Sequence, residues 1–233
     1  MDVGACLWRR RAPPEIVNRL TISGAILQLV LTSALAETPL PSYEDQVIRE
    51  KWYEVNELLE AGLPAEAEAK ATAFQEQVTP DGGLEYLVGL SWRIRDDGAA
   101  AEKHYRRALE LNPNLQEAWS DLGELLLIRG ELQESEKCYR EVSRLVPAGR
   151  FGWLGPQRLA EIAAHRHDPE EFDVWMHEAL RRGFSIYSIA GLPNWQGFYA
   201  DPAMHDTVAK FVTVYGDEDL RRSLERPVPI PKE

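Results

Sequence analysis

One passage of this chain is written twice at a fixed offset, and that period limits the possible folds more than any other feature. Gly89, Ala101, Tyr105, Ala108 and Pro113 recur as Gly123, Ser135, Tyr139, Val142 and Pro147. A small residue in one helix, an aromatic in the next and a closing proline, at a period of about 34 residues, is the pattern of stacked helical hairpins. A single hairpin cannot bury its apolar face alone, so neighbours must stack on one another. Such an array offers another molecule surface more readily than a reaction centre.

Each repeated residue has a physical task. Gly89 and Gly123 let the second helix of a hairpin approach the first, where a side chain would wedge them apart. Tyr105 and Tyr139 fill the space between hairpins, and Pro113 and Pro147 stop the second helix. Gly130 falls between two helices, where the turn needs backbone freedom.

The run Trp119-x-x-Leu122-Gly123-x-x-Leu126, followed by Ser135-x-x-x-Tyr139 and Pro147, resembles the tetratricopeptide repeat. The preceding copy supplies Val88-Gly89-x-x-Trp92, Ala101-x-x-x-Tyr105, Ala108 and Pro113. The resemblance implies an all-α, right-handed solenoid of stacked helical hairpins, with about four units and a C-terminal capping segment, of a bacterial exported type. The repeat domain is expected over 37–183, with clear units at about 82–115 and 116–149.

Weaker copies flank this pair. Upstream, Trp52, Val55, Leu58 and Leu59 form a helical stripe, Pro64 starts a second helix, and Ala65–Val78 continues it. Downstream, a helix with Leu159, Ala160 and Ala163 ends near His167, and Asp168-Pro169 opens the next, through Phe172 and Met176. Residues 184–224 are expected to cap the array, with Asp201-Pro202 opening a short helix, and 225–233 to form a disordered proline-rich tail.

In this family the first helices of successive units line a binding groove. Carried across by position, that lining is Arg49, Trp52 and Asn56; then Tyr86, Leu90 and Arg93; then Glu117, Ser120 and Glu124; and finally Gln157 and Glu161. Trp52 and Tyr86 have a second reading, as packing between neighbouring first helices. Members that grip acidic C-termini use Lys and Asn at groove positions. Here Tyr86, Leu90, Ser120 and Glu124 stand there, so that clamp is absent.

Charge narrows the partner further. The chain carries a net −12, of which residues 1–36 contribute +2, leaving −14 on the remainder. Nucleic-acid affinity is built from Lys and Arg on phosphate, so no nucleic-acid partner is expected. The expected partner is another protein or peptide with basic or apolar surface.

The N-terminal segment reads as an address. Leu20 to Ala36 holds no charged residue, arginines precede it, and Ala34-Leu35-Ala36 offers a small-x-small cleavage site. Cleavage after Ala36 into the periplasm or the exterior is expected, with translation starting downstream of Met1. An uncleaved inner-membrane anchor is the alternative, and the chain's only expected link to a membrane. Cys138 reads as a small buried apolar residue, and with Cys6 alone it gives no disulfide framework.

Nothing in the sequence demands catalysis. There is no Gly-x-Ser-x-Gly elbow and no phosphate-cradling Gly-Lys-Ser/Thr loop. No cofactor is expected. A reading of another class rests on His165, His167, Asp168, Asp173 and His177: Asp173 and His177 are four apart on one helical face, a workable metal-ligand pair. A solvated inter-helix turn explains the same residues. The preferred reading is a non-enzymatic binding scaffold, with a holdase of cytochrome c or pilus assembly as its variant.

Overall fold

The computed structural model describes residues 43–78 and 80–226. The expected leader, 1–36, lies outside the described residues, as do 227–233 of the expected tail. The described residues hold eleven α-helices and one 3-10 turn, with no strand, and this is an all-α helical-repeat fold of the solenoid class. The chain divides into two compact units, one ending at Glu117 and the other beginning at Ala118.

The first unit stacks two hairpins: α1 (Tyr43–Glu60) with α2 (Pro64–Gln75), and α3 (Gly82–Ile94) with α4 (Gly98–Leu111). Local chemistry sets the helix ends. Pro64 occupies the first turn of α2, where its missing N–H costs nothing. Asp81 caps α3 by accepting from the Leu84 amide at 2.9 Å, and Asp97 caps α4 by accepting from the Ala100 amide at 2.9 Å. With Asp81 as its cap, α3 begins at Gly82. Helix α2 ends at Gln75, short of the expected Val78.

The second unit continues with α5 (Gln116–Ile128), which starts at the unit boundary, then α6 (Leu132–Leu145), α7 (Leu154–His165) and α8 (Pro169–Arg181). Its last three helices are α9 (Pro193–Ala200), α10 (His205–Tyr215) and α11 (Glu218–Glu225). Asp168 caps α8 by accepting from the Glu171 amide, and Pro169 sits in its first turn. The sequence pattern located neither α9 nor α11, and α10 opens at His205 rather than at Asp201-Pro202. Glu225 closes α11 and is not part of the tail.

The repeat is written in the backbone too. Gly62, Asp96 and Gly130 stand one repeat apart between paired helices, with φ of +74°, +65° and +75°. Of these three only Asp96 carries a side chain, which Asp tolerates better than most residues, and His167 between α7 and α8 is likewise left-handed at φ +56°.

Close packing follows the same register. A Cβ on Gly89 would lie 2.6 Å from Tyr105 Cδ1, and one on Gly123 would lie 3.0 Å from Tyr139 Cε2. Ala101, Tyr105, Ala108, Leu122, Tyr139 and Cys138 are buried, Trp119 is half-buried, and Pro113 and Pro147 are exposed at the helix ends. In the second unit Phe172 and Met176 share one core with Trp195, Phe198, Phe211, Leu220 and Leu224. Truncating such an aromatic costs about 3–5 kcal/mol. Helices α9–α11 thus pack on the last hairpin through one continuous core. No helix of the described residues is long and apolar enough to cross a membrane.

Candidate binding surfaces

The first helices of the first unit put Arg49, Trp52 and Asn56 on α1 and Tyr86, Leu90 and Arg93 on α3. They do not present them equally. Arg49 is exposed, while Trp52 and Arg93 are half-buried. Trp52 meets Tyr53 edge to face at 5.7 Å and lies over Gly83, whose bare backbone leaves it room. Tyr86 is 2% exposed and stacks on Tyr105 with centroids 5.6 Å apart, so it packs the hairpin and does not face a partner. Leu90 is buried as well. Asn56 is buried and donates through Nδ2 to Glu60 Oε1 at 2.9 Å. Glu117, at the end of this unit, is half-buried. Burial lifts its carboxyl above the ordinary value against hydrogen bonds from its own amide and Gln116.

In the second unit three of the expected groove positions converge on an ion network. Arg158, on α7, donates from Nη1 to Glu161 Oε2 at 2.7 Å, and its Nη2 lies 3.0 Å from Glu124 Oε2 on α5. Tyr139 on α6 donates its hydroxyl to Glu124 at 3.2 Å. Asn194 on α9 donates to Glu161 Oε1 at 2.9 Å, and Gln157 adds a longer bond to the same carboxylate, 3.4 Å to Oε2. Glu161 is 2% exposed and Gln157 is buried; Ser120 and Glu124 are half-buried.

Electrostatics follow from that geometry. Burial pushes the Glu161 carboxyl up, but the Arg158 charge and the bonds from Asn194 and Arg158 outweigh it, and its pKa falls below the ordinary value. Burial disfavours the Arg158 cation, yet the charges of Glu124 and Glu161 hold it more firmly protonated than a free arginine. Burial, then the Glu124 charge, keeps the Tyr139 hydroxyl protonated well above its usual range. Arrangements of this kind fix structure rather than move protons. The carboxylates expected to greet a basic partner here are spent on Arg158.

Sequence reasoning missed Arg158, although it stands one repeat period after Glu124. It also missed Arg182 at the end of α8, which donates from Nη1 to the carbonyls of Ser143, Val146 and Gly152 at 3.0, 3.3 and 3.3 Å. These are acceptors that the end of α6 and the loop after it leave open. The residues of the alternative metal reading do not assemble into a cluster. The His165 ring packs edge-on against Phe198, His167 Nε2 pairs with Asp201 at 2.8 Å, and His177 Nδ1 sits against Asp173. Among the described residues no group of three or more His, Cys, Asp or Glu side chains is placed to hold a metal ion.

Residues 104–137 match the family model for the tetratricopeptide repeat. The chain carries tetratricopeptide repeats. Their fold is also that of pilF from Pseudomonas aeruginosa, which superposes with a TM-score of 0.60 at 14% identity, covering 77% of this chain and 81% of that one. Over 93 residues the chain is 31% identical to the probable biofilm formation methyltransferase WspC of Pseudomonas putida, covering 40% of this chain and 21% of the relative. Over 114 residues it is 28% identical to the photosystem I assembly protein Ycf3 of Acaryochloris marina, covering 49% of this chain and 66% of the relative. The chain thus spans about a fifth of the first relative's length and just under two thirds of the second's. Repeats of this family are protein-binding scaffolds, generally without catalysis of their own.

Proposed function

We propose that this chain is a non-enzymatic protein-binding scaffold or assembly factor of the bacterial cell envelope, and that it engages its partner through the first-helix face of its first unit. The observation that carries this reading is the contrast between the two units. The second unit closes its Glu124 and Glu161 positions with Arg158, whereas the first leaves Arg49 and Tyr53 exposed on the helix that carries the half-buried Trp52. An aromatic pair flanked by a cation suits an apolar side chain on an extended partner segment. An assembly role is supported by the likeness to a photosystem I assembly protein.

Export belongs to the same proposal. It is supported by the uncharged Leu20–Ala36 stretch and the Ala34-Leu35-Ala36 site, with cleavage after Ala36 delivering the repeats to the periplasm. The intact mass of the envelope-fraction protein tests this: a species beginning at Glu37 is expected, and a cytosolic full-length chain would refute it. For binding, the triple variant R49E/W52A/R93E is compared with wild type in affinity capture from envelope extract. Loss of co-purifying proteins at unchanged helicity is expected. Unchanged recovery moves the surface elsewhere.

A further inference from the structure

The outer side of the second unit carries a feature that the first-helix reading does not use. Between α8 and α10 lies an open groove of about 540 Å³, lined by Pro169, Glu170 and Asp173 on one wall and Asp206, Thr207 and Lys210 on the other. Lys210 pairs with Asp173 at 2.9 Å, and His177 Nδ1 also rests on Asp173. Glu170 and Asp206 make no ion pair among the described residues. Three carboxylates against one lysine leave this end of the groove negative.

One helical turn onward the character changes. His177 meets Phe211 and Tyr215 with centroids 4.8 and 6.3 Å apart, so α8 and α10 run in the same direction and close on an aromatic end. On the same two helices Val174, Val214 and Tyr215 are 63%, 62% and 42% exposed. Acidic residues in a first helical turn are favoured by the helix dipole, which accounts for Glu170 and Asp206 as helix starts. The dipole gives no reason to leave two valines and a tyrosine in water farther along the same helices.

We infer that the α8–α10 groove is a second docking surface, for a segment of another protein that sets Lys or Arg against Glu170 and Asp206 and an apolar side chain against Val214 and Tyr215. Charge selects the occupant. Nucleic acid and anionic lipid are repelled, and a second copy of the chain brings the same net negative body. A cationic segment is drawn in by the same field and held by the apolar end. This surface lies on a second helix of its hairpin and on the C-terminal segment, so it is independent of the first-helix face.

The test uses the full chain with p-benzoylphenylalanine at Val214, expressed in its native cells, irradiated, and the crosslinked peptide mapped by mass spectrometry. The expected result is a crosslink to a different protein, in a segment with Lys or Arg beside apolar residues. Its yield should fall on the order of tenfold in E170K/D206K, since rim charges govern encounter. A parallel probe at Trp52 reports the first-helix face and should not change, which separates failure of this surface from failure of that one. Crosslinks only to lipid, to residues 1–36 of the chain itself, to a second copy or to an acidic segment would overturn the proposal, as would no crosslink at all, or full yield in E170K/D206K.

Discussion

Replacing Arg158 by methionine should both destabilise the second unit and reverse the way its stability responds to acid. In the native chain Glu161, 2% exposed, is kept ionised by Arg158 at 2.7 Å and Asn194 at 2.9 Å. Removing one member of a buried pair leaves the other charge uncompensated and costs about 3–5 kcal/mol. The low end, about 3 kcal/mol, applies here because Asn194 stays. That corresponds to a fall in Tm of about 10 °C, at roughly 2–4 °C per kcal/mol for a chain of this size. The native Glu161 has a depressed pKa, so its stabilisation is complete above the unfolded value and is lost as pH falls through the folded one. In R158M burial is no longer opposed by the cation, and the pKa moves above the unfolded value. The folded variant then binds the extra proton, and its stability rises as pH is lowered from 7 to 5. Urea unfolding followed by helical circular dichroism at both pH values should show a penalty smaller at pH 5 by about 1 kcal/mol or more. The double variant R158M/E161Q should recover most of the loss, because removing both members of a buried pair is often near neutral. A penalty equal at the two pH values, or no recovery in the double variant, would refute the reasoning.

Three further outcomes follow from contacts of the same kind. G89A should lose about 1–3 kcal/mol in urea unfolding, and more than G123A, because its Cβ would fall 2.6 Å from a buried, stacked Tyr105 ring against 3.0 Å at Tyr139. D96G should be neutral or stabilise by up to about 1 kcal/mol, since it removes a side chain from a left-handed position at φ +65°, while the long Arg93–Asp96 contact of 3.9 Å is worth little. R182A should cost about 2–3 kcal/mol and speed hydrogen exchange over 146–153, because it strands carbonyls at the end of α6; R182K, with one reaching ammonium in place of the fork, should recover part of it.

What was legible in the sequence was whatever the repeat enforces locally. The period marked Gly89, Gly123, Tyr105 and Tyr139 as packing residues, though not that each glycine meets the tyrosine of its own hairpin, and it extends to the turn at Gly62 and Asp96, where the backbone conformation repeats though the residue type does not. The groove positions were legible as a register but not as a surface. Asn56, Leu90, Glu124 and Arg158 occupy one ladder at the repeat spacing, yet the first two are buried and the last two are paired with each other. Tyr86 reads from the sequence as lining or as packing, because an aromatic at that position serves either role, and the 5.6 Å stack on Tyr105 decides for packing. The bonds that Asn194 makes to Glu161 and Arg182 to Ser143 join distant parts of the chain and carry no periodic mark. Helices α9 and α11 escaped because each spans only about two turns, too short for periodicity to stand out.

Net charge is a property of the whole chain, and here it is a poor guide to the face that a repeat array offers. The sequence places acidic residues at the last groove positions, which suggests a basic partner there. Arg158 removes that possibility from within, binding Glu124 and Glu161 at once, so the inner positions of the second unit carry little charge to share. A partner's lysine could enter only by displacing a half-buried arginine whose pair with Glu124 joins α5 to α7 and whose pair with Glu161 lies within α7. The excess of negative charge must therefore be felt elsewhere, and Glu170 and Asp206 carry it in the open on the outer groove. The proposed basic preference thus shifts from the first-helix positions of the second unit to its α8–α10 groove. On the proposed reading, an apolar segment would meet Trp52 and Tyr53 in the first unit, and a segment both cationic and apolar would meet the α8–α10 groove in the second.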